Sequence, residues 1–419
     1  MGQTISEKIF ARHCGKAKVA AGDLVFAKVD MVLGTDVTVP LSVEVFRRMG
    51  AERVFDADKI ALVNDHFIPA KDLKAAELSQ TMRKFAVQMG IANYFEVGRS
   101  GICHVLLPEQ GLVKPGDIVV GADSHTCTYG GLGAFATGIG STDMAAAWAL
   151  GELWFRIPDT IKIQVEGKLQ RWVSGKDVAL YVISQLGVEG ALYKTLEFHG
   201  DTISHFSIDD RFTLCNMAIE AGGKTGIVPP DDTTQQFMAQ FPGLKYENVL
   251  PDPDAKYEKT LTFDVSMLQL QVAKPYLPSN SVEVQNLSDV KLDQVVLGSC
   301  TNGRMSDYRT AAAAMRGKQV HPDTRLIVIP STPKIMLEML ETGLMAEFIK
   351  AGAVISPPTC GPCIGGHMGV LGENEVGLYT TNRNFYGRNG HITSKVYLAG
   401  PAVAGASAVL GKIAHPDEV

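Results

Sequence analysis

The chain has 419 residues, enough for two or three domains that each bury a hydrophobic core. Its net charge is −6 and it has no long basic run, so nucleic-acid binding is poorly supported as a main function. No stretch of eighteen uninterrupted apolar residues occurs, which argues against a membrane span. Seven scattered cysteines and no signal peptide argue against a disulfide scaffold, so we expect a protein of the reducing cytoplasm.

The first region, residues 1–162, is rich in glycine and carries polar side chains in short groups. These groups lie in VNDHFIP, in GICHVLLPEQG and in GADSHTCTYGGLGAFATGIGSTD, the last of which follows an apolar strand. Carboxylate–imidazole pairs fix a histidine tautomer and tune it for proton transfer, although each group alone also suits a solvated turn or a helix cap. The candidate side chains are Asp65, His66, His104, Asp123, Ser124 and His125.

The second region, residues 163–285, begins at the alternating stretch TIKIQVEGKL, which predicts a strand. Further along, CNMAIEAGGKTG places Asn216 and Glu220 four residues apart, which suits either a helix-surface pair or two groups that face one site. The same stretch nearly mimics a phosphate-binding loop, but Ala218 stands where that loop requires its first glycine. We therefore reject nucleotide binding there.

The third region, residues 286–419, alternates strand and helix signals. Apolar runs in LDQVVLGSC, RLIVIPST, AVISPPTC and KVYLAG predict strands, and a helix is expected from the Ser-Thr-Pro start at residues 331–333 to Gly352. Apolar strands between helices indicate a parallel sheet that is covered on both faces. Because Cys300 follows one strand and Cys360 and Cys363 follow another, we expect the three thiols to meet in one crevice at the strand ends.

Three interpretations of these thiols are open. A CGPC redox dithiol should open a helix, but the next stretch, IGGHMGVLG, has four glycines in nine residues and disfavours one. A zinc ion held by Cys300, Cys360, Cys363 and His367 fits the donor types. An iron–sulfur cluster with three thiolates leaves one iron open to substrate, and it would need acids, bases and anion-binding arginines nearby.

The stretch YTTNRNFYGRNG could supply part of that machinery. It contains Asn382, Arg383 and Arg388. Two arginines in a glycine-bearing loop suit the bidentate recognition of carboxylates, although they also suit ion pairs between domains.

Taken together, the motifs resemble those of the aconitase superfamily over nearly the whole chain. The matching stretches, in that family's order, are GADSHTCTYGGLGAFATGIGSTD, CNMAIEAGGKTGIVPPD, GSCTNGR, PPTCGPCIGG and TTNRNFYGR. The resemblance implies an α/β fold with three domains, 1–162, 163–285 and 286–419, whose parallel or mixed sheets are flanked by helices. It also implies that the family's fourth, swivel domain is a separate small subunit, and that this chain is active only with that subunit.

The resemblance further implies one [4Fe–4S] cluster per chain, held by Cys300, Cys360 and Cys363. By the same analogy, Asp65 and His66 deliver a proton to the departing hydroxyl, His125 pairs with Glu220, and His104 completes the histidine set. The full catalytic set is Asp65, His66, His104, Asp123, His125 and Glu220. The substrate carboxylates would contact Ser124, Arg383 and Arg388, and the environment of the iron–sulfur cluster would include Asn216 and Asn382.

The activity that the resemblance implies is a hydro-lyase reaction in leucine biosynthesis, which isomerises 2-isopropylmalate and 3-isopropylmalate by dehydration and rehydration. Homoaconitate, citraconate or 2-methylmalate, and 2,3-dimethylmalate are alternative substrates. A non-catalytic RNA-binding protein and a structural zinc protein are rivals from other classes. We expect no membrane and no nucleic-acid partner.

Overall fold

The computed structural model describes residues 2–419. In chain order, the strands are β1 Leu24–Lys28, β2 Met31–Thr35, β3 Ile60–Val63, β4 Tyr94–Phe95, β5 Ile118–Gly121, β6 Phe135–Gly138, β7 Glu152–Arg156, β8 Thr160–Glu166, β9 Thr195–His199, β10 Thr225–Ile227, β11 Lys259–Asp264, β12 Gln271–Ala273, β13 Ser281–Glu283, β14 Gln294–Leu297, β15 Arg325–Val328, β16 Val354–Ile355, β17 Val376–Tyr379 and β18 Lys395–Ala399.

The α-helices are α1 Ile5–His13, α2 Val39–Arg48, α3 Leu73–Met89, α4 Cys103–Glu109, α5 Ser141–Leu150, α6 Gly175–Leu186, α7 Asp201–Ser204, α8 Ile208–Asn216, α9 Asp232–Met238, α10 Met305–Met315, α11 Pro333–Glu341, α12 Leu344–Lys350 and α13 Pro401–Leu410. Short 3₁₀ helices cover Ser124–Leu132, Met217–Ala221 and Gly361–Ile364, among others.

The first sheet has five parallel strands in the order β4-β3-β2-β5-β6. All five residues of β2 are buried, and its side chains enter two separate cores, with Val32 in one and Leu33 in the other. This two-sided burial explains why the strand is continuously apolar. The chain passes from β2 to β3 and β4 on one side of β2 and then returns to β5 on its other side. A crevice opens at the carboxyl ends of strands where the order reverses in this way.

The second sheet is also parallel, in the order β10-β9-β8-β11, and it includes the strand that TIKIQVEGKL predicts, which the structure confirms as β8. The third sheet has seven strands in the order β13-β12-β18-β17-β14-β15-β16. Its strands β14 to β18 run parallel, while β12 is antiparallel to both neighbours. The four apolar runs of the third region form β14, β15, β16 and β18, which confirms the predicted α/β fold class.

The predicted division into three domains stays a prediction. The residue ranges of the three sheets can be compared with its boundaries. The first, second and third sheets use residues within 31–138, 160–264 and 271–399, respectively. β12 and β13 lie before residue 285 and pair with the third sheet.

The helix expected from residue 333 to Gly352 is two helices, so that prediction is wrong in its extent. Its start is confirmed, because the Thr332 hydroxyl accepts a hydrogen bond from the Ile335 N–H and Pro333 opens the first turn. The break lies at Gly343, whose φ of +78° is left-handed and ends the run of helical hydrogen bonds between α11 and α12.

A close backbone contact explains part of the glycine-rich stretch around residue 130. A Cβ built on Gly130 would lie 1.6 Å from the carbonyl oxygen of Gly226, so no larger residue fits between the 3₁₀ helix Ser124–Leu132 and β10. This contact fixes the segment that carries His125 against the segment that follows Glu220.

None of the helices in the described part of the chain has the length and apolar character needed to cross a membrane.

Candidate active site

The carboxyl ends of strands in the first and third sheets face one cavity of about 250 Å³. Its lining includes eleven of the fourteen predicted site residues, namely Asp65, His66, His104, Asp123, Ser124, His125, Cys300, Cys360, Cys363, Arg383 and Arg388. The other three, Asn216, Glu220 and Asn382, are buried and hydrogen-bond to residues of that lining. The strand ends therefore bring together residues that lie up to 323 positions apart in the chain.

The first carboxylate–imidazole pair follows β3. His66 Nδ1 lies 2.6 Å from Asp65 Oδ1, and both side chains are buried. The other carboxylate oxygen of Asp65 accepts the Cys103 N–H at 3.0 Å. Burial disfavours the charged imidazole, but the charge and hydrogen bond of Asp65, with the charges of Asp36 and Asp123, outweigh it and raise the pKa of His66 to about 10. His66 therefore holds its proton at neutral pH.

A second pair joins α4 to the turn after β5. His104 Nε2 lies 2.9 Å from Asp123 Oδ1, and that oxygen also accepts the His125 N–H at 2.8 Å. Burial would raise the pKa of Asp123, but the charge and hydrogen bond of His104 and the hydrogen bond from His125 hold it well below its usual range.

A third pair spans two regions of the chain, because His125 Nε2 lies 2.8 Å from Glu220 Oε1. Burial and the charge of Arg383 oppose protonation of His125, while its hydrogen bonds to Asp123 and Glu220 prevail and raise its pKa. Asn216 and Glu220 are both buried, so the interpretation as a helix-surface pair is wrong.

The two arginines after β17 differ in their bonding. Arg383 Nε donates to Glu220 Oε1 at 2.7 Å and its Nη1 donates to Ser124 Oγ at 2.9 Å, which fixes the guanidinium at the cavity edge. The Nε of Arg388 is buried and has no hydrogen-bond partner. An unpartnered buried guanidinium N–H costs free energy, and Arg388 also lines the cavity.

The three thiols follow β14 and β16, as the sequence predicts. Asn216 Nδ2 and Asn382 Nδ2 each donate to Cys300 Sγ at 3.2 Å, and the Asn382 amide also donates to Thr301 Oγ1 at 3.0 Å. Burial and the charge of Cys363 raise the pKa of the Cys300 thiol to about 12, and the hydrogen bond from Asn216 opposes that rise. Such amide bonds are a recurring feature of sulfurs that bind metal.

The two cysteines of CGPC are linked electrostatically. A hydrogen bond from Cys360 lowers the pKa of the Cys363 thiol to about 5, against the effect of burial, and the charge of Arg388 acts in the same direction. The segment forms a single 3₁₀ turn, Gly361–Ile364, that ends at left-handed Gly365. It does not open an α-helix, as the glycines predict, and this removes the structural basis of the thioredoxin-like interpretation.

The thiols are not arranged for one zinc ion. Within residues 2–419, one set of three or more His, Cys, Asp or Glu side chains has all its ligand atoms within 4.8 Å of one another, namely Asp36, Asp65 and His66. Sulfurs around a single tetrahedral zinc ion would lie about 3.8 Å apart, given the usual Zn–S distance of about 2.3 Å. In addition, His367 Nε2 lies 2.9 Å from the Pro69 carbonyl oxygen, a contact that holds the ring against the main chain.

Asp36 is a site residue that the sequence analysis did not identify. Its carboxylate accepts hydrogen bonds from the N–H groups of Asp65, His66 and Phe67 at 2.8 to 3.2 Å, and so shapes the turn that presents His66. Because these donors occupy its oxygens, the group of Asp36, Asp65 and His66 is a hydrogen-bonded network rather than a cation site. The sequence feature that could have identified Asp36 is its position directly after the apolar run of β2, at the carboxyl end of a strand.

The sequence matches a known protein family and several relatives. The model of the aconitase family (aconitate hydratase) matches residues 7–291 and 285–411. Three relatives are each a "3-isopropylmalate dehydratase large subunit". Those of Moorella thermoacetica and Acetivibrio thermocellus are 55% and 54% identical, with 100% of both chains covered. That of Pyrococcus furiosus, large subunit 1, is 54% identical, with 100% of this chain and 99% of its own covered.

Among solved structures, the holo-form of aconitase X from Thermococcus kodakaraensis is similar, with a TM-score of 0.55 and 14% identity. The match covers 93% of this chain and 91% of that one, and at this identity it supports the fold alone.

Proposed function

Because the chain belongs to the aconitase family, we propose that it is the large subunit of an enzyme that isomerises 2-isopropylmalate and 3-isopropylmalate in leucine biosynthesis. The reaction would remove water from a 2-hydroxy dicarboxylic acid and add it back with the positions exchanged. One observation carries the proposal: three carboxylate–imidazole pairs, three thiols and an unpartnered guanidinium N–H meet around one cavity.

The thiols fit a [4Fe–4S] cluster held by Cys300, Cys360 and Cys363. The pKa of Cys363 is lowered to about 5, which favours the thiolate form that binds iron, and two amide N–H groups donate to Cys300 Sγ against the burial that raises the pKa of that thiol. The three sulfurs share a cavity without the close convergence that a single metal ion needs. When bound, such a cluster supplies a Lewis acid for substrate oxygens, because one of its irons has no thiolate ligand.

The histidine imidazoles would carry out proton transfer. His66 is protonated at neutral pH and faces the cavity, so we assign it the delivery of a proton to the departing hydroxyl. Asp65 and Asp36 hold this ring and its turn in place, while Asp123 fixes the ring of His104.

The substrate carboxylates would bind at Ser124, Arg383 and Arg388, which line the same cavity. Arg388 offers an unpartnered N–H, and Ser124 and Arg383 present a hydroxyl and a guanidinium that already hold each other in position. Because these two side chains are already held in place, they would lose less conformational entropy when the dicarboxylate substrate binds, and this favours the reaction. The pair of His125 and Glu220 lies beside Arg383 and would orient it.

The words "large subunit" in the relatives' names support a small-subunit partner. We propose that this partner carries the swivel domain of the family and supplies the group that removes the carbon-bound proton. We also propose that the pair works in the cytoplasm, where cysteine thiols stay reduced.

The test is an assay of the anaerobically reconstituted pair. We expect interconversion of 2- and 3-isopropylmalate, about four irons with matching sulfide per chain, and no activity of the large chain alone. Homoaconitate, citraconate, 2-methylmalate and 2,3-dimethylmalate serve as competing substrates. A pair that carries iron but prefers one of these acids would change the substrate assignment, and a colourless zinc protein would overturn the proposal.

A further inference from the structure

Two threonine hydroxyls lie beside the asparagine amides that donate to Cys300 Sγ. Thr128 belongs to the 3₁₀ helix that carries His125, and Thr301 directly follows Cys300 in the chain. Both threonine side chains are fully buried. Neither is a predicted site residue, and neither is part of the cavity lining. Any effect that they have on the site must therefore come through the hydrogen bonds of their hydroxyls.

The first hydroxyl sets the direction of the Asn216 amide. Thr128 Oγ1 donates its one proton to the main-chain carbonyl of His125 at 2.6 Å. The same oxygen lies 2.8 Å from the Asn216 amide, and because its proton is already used, it can only accept a hydrogen bond there. The NH₂ group of Asn216 must therefore face Thr128, and its carbonyl oxygen must face the other way, towards Thr301.

The second hydroxyl sets the direction of the Asn382 amide by the same rule. Thr301 Oγ1 donates to Asn216 Oδ1 at 2.8 Å, which uses its only proton. Its contact with the Asn382 amide, at 3.0 Å, must then be an N–H that Asn382 Nδ2 donates. Each step fixes the next, so the chain of hydrogen bonds has one direction, and the His125 carbonyl at its end determines that direction.

This direction decides which end of each amide meets the sulfur. Asn216 Nδ2 and Asn382 Nδ2 both lie 3.2 Å from Cys300 Sγ. An amide that turned over would place its oxygen there, and an oxygen has no proton to donate to a thiolate. The far end of the Asn382 amide would not prevent this, because Asn382 Oδ1 lies 3.7 Å from Cys363 Sγ and a sulfur can contact either end of an amide.

The Thr301 hydroxyl is held in place by the protein itself. Thr213 Oγ1 and Arg304 Nη1 donate to the main-chain carbonyl of Thr301 at 2.8 and 3.1 Å. Its main-chain N–H donates to Ser299 Oγ at 3.1 Å. Because the main-chain groups on both sides of the side chain are bonded, the hydroxyl stays between the two amides.

We propose that Thr128 and Thr301 are positioning residues that orient both amides as hydrogen-bond donors to Cys300 Sγ. The inference rests on the proposed function, because its effect falls on the iron–sulfur cluster that Cys300 would bind. Hydrogen bonds to the sulfurs are one of the factors that set the reduction potential of such a cluster, since a donor stabilises the reduced, more negative state. Loss of either hydroxyl should therefore lower that potential, although neither hydroxyl is hydrogen-bonded to the sulfur.

The experiment uses the full chain, loaded with iron and sulfide under anaerobic conditions. Thr128→Val and Thr301→Val each remove one hydroxyl and keep the branched shape of the side chain, whereas Thr128→Ser and Thr301→Ser keep the hydroxyl. Thr234→Val is the matched control, because that buried hydroxyl has no hydrogen-bond partner. The measurements are the midpoint potential by spectroscopic titration, the rate of iron release to a chelator, and the melting temperature of the apoprotein.

We expect each valine variant to lower the midpoint potential by about one tenfold step in the reduction equilibrium, which is about 59 mV for one electron. Both should also release iron faster than the wild type. The serine variants and Thr234→Val should keep the wild-type potential. The double variant Thr128→Val with Thr301→Val should lose less than the sum of the two single losses, because the two hydroxyls act in one chain.

A valine variant that folds but does not load, while its serine counterpart loads normally, would also support the proposal. If only one valine variant folds, that variant decides.

Three results would overturn the proposal. The first is valine variants with full iron and an unchanged potential. The second is additive losses in the double variant, which would mean two independent contacts rather than a chain. The third is a failure of both valine apoproteins to fold, because the hydroxyls would then serve the fold itself. If the wild-type chain takes up no iron and sulfide, the proposed function fails and this inference fails with it, an outcome that is distinct from the other three.

Discussion

The first and third sheets contribute to the same cavity from their strand ends, yet their polar groups differ in state. At the end of the first sheet, Asp65, His66, Asp123 and His104 bond to one another within the protein. At the end of the third sheet, Arg388 Nε has no hydrogen-bond partner, and the Cys300 thiol is surrounded by donors. The polar groups at the first sheet are therefore paired within the protein, whereas an N–H of Arg388 at the third sheet is not.

This difference suggests separate roles for the strand ends of the first sheet and of the third sheet. Carboxylate–imidazole pairs that are already bonded hold protons at defined atoms, so under the proposed function the first sheet would supply the acid–base groups. Under the proposed function, the unpartnered Arg388 N–H and the three thiols would bind an anion and iron, so the third sheet would determine which groups are bound. Changes at the third sheet should therefore affect occupancy and binding, and changes at the first sheet should affect turnover.

The largest effect is expected for Cys360→Ser at the third sheet. Loss of one of three thiolates should abolish assembly of the iron–sulfur cluster, since serine is a poor ligand for iron in this setting. The measurement is iron and sulfide content after anaerobic reconstitution. Cys14→Ser is the control, because that half-buried thiol lies at the end of α1 and lines no part of the cavity. Full iron occupancy in Cys360→Ser would refute the ligand assignment.

An intermediate effect is expected for His125→Gln at the first sheet. Loss of a positioned acid–base or orienting group should lower kcat by about 10²- to 10⁴-fold. Iron content should be unchanged, which separates this variant from Cys360→Ser. Steady-state kinetics of the reconstituted pair check the result, with the exposed His205→Gln as control. If His125→Gln lost iron in parallel with activity, the first sheet would also affect iron occupancy, which contradicts the separate roles of the two sheets.

A smaller effect is expected for Arg388→Lys at the third sheet. Lysine keeps the charge but loses the planar guanidinium, so one charged hydrogen bond to a substrate carboxylate should be lost. Such a bond contributes about 1.5–3 kcal/mol, which corresponds to a rise in KM of about 10-fold or more with kcat largely retained. Arg309→Lys, at an exposed ion pair with Glu338, is the control. An unchanged KM would mean that the unpartnered N–H does not bind substrate.

The sequence allowed the fold class and the meeting of the thiols to be predicted, because both follow from local patterns. Apolar runs between helices indicate parallel strands, and Cys300, Cys360 and Cys363 each follow such a run. The helix break at Gly343 was missed because the apolar spacing continues across it and a glycine within a helix is tolerated at modest cost.

The pairing within the site could not be read from the sequence by physical reasoning alone. Glu220 Oε1 is close to both His125 and Arg383, which lie 95 and 163 positions away. Likewise, Asp36 belongs to the site because its carboxylate accepts hydrogen bonds from three main-chain N–H groups that lie about 30 positions further along the chain. Such contacts depend on how sheets and turns pack, and no local period encodes them.

The contact between Gly130 and the Gly226 carbonyl has a consequence for substitutions at this position. A side chain added at Gly130 would lie inside the van der Waals distance of the Gly226 carbonyl oxygen, so it would push these two main chains apart. The displacement would separate the segment of His125 from the segment that follows Glu220, and we expect it to disturb a pair that lies outside the contact itself.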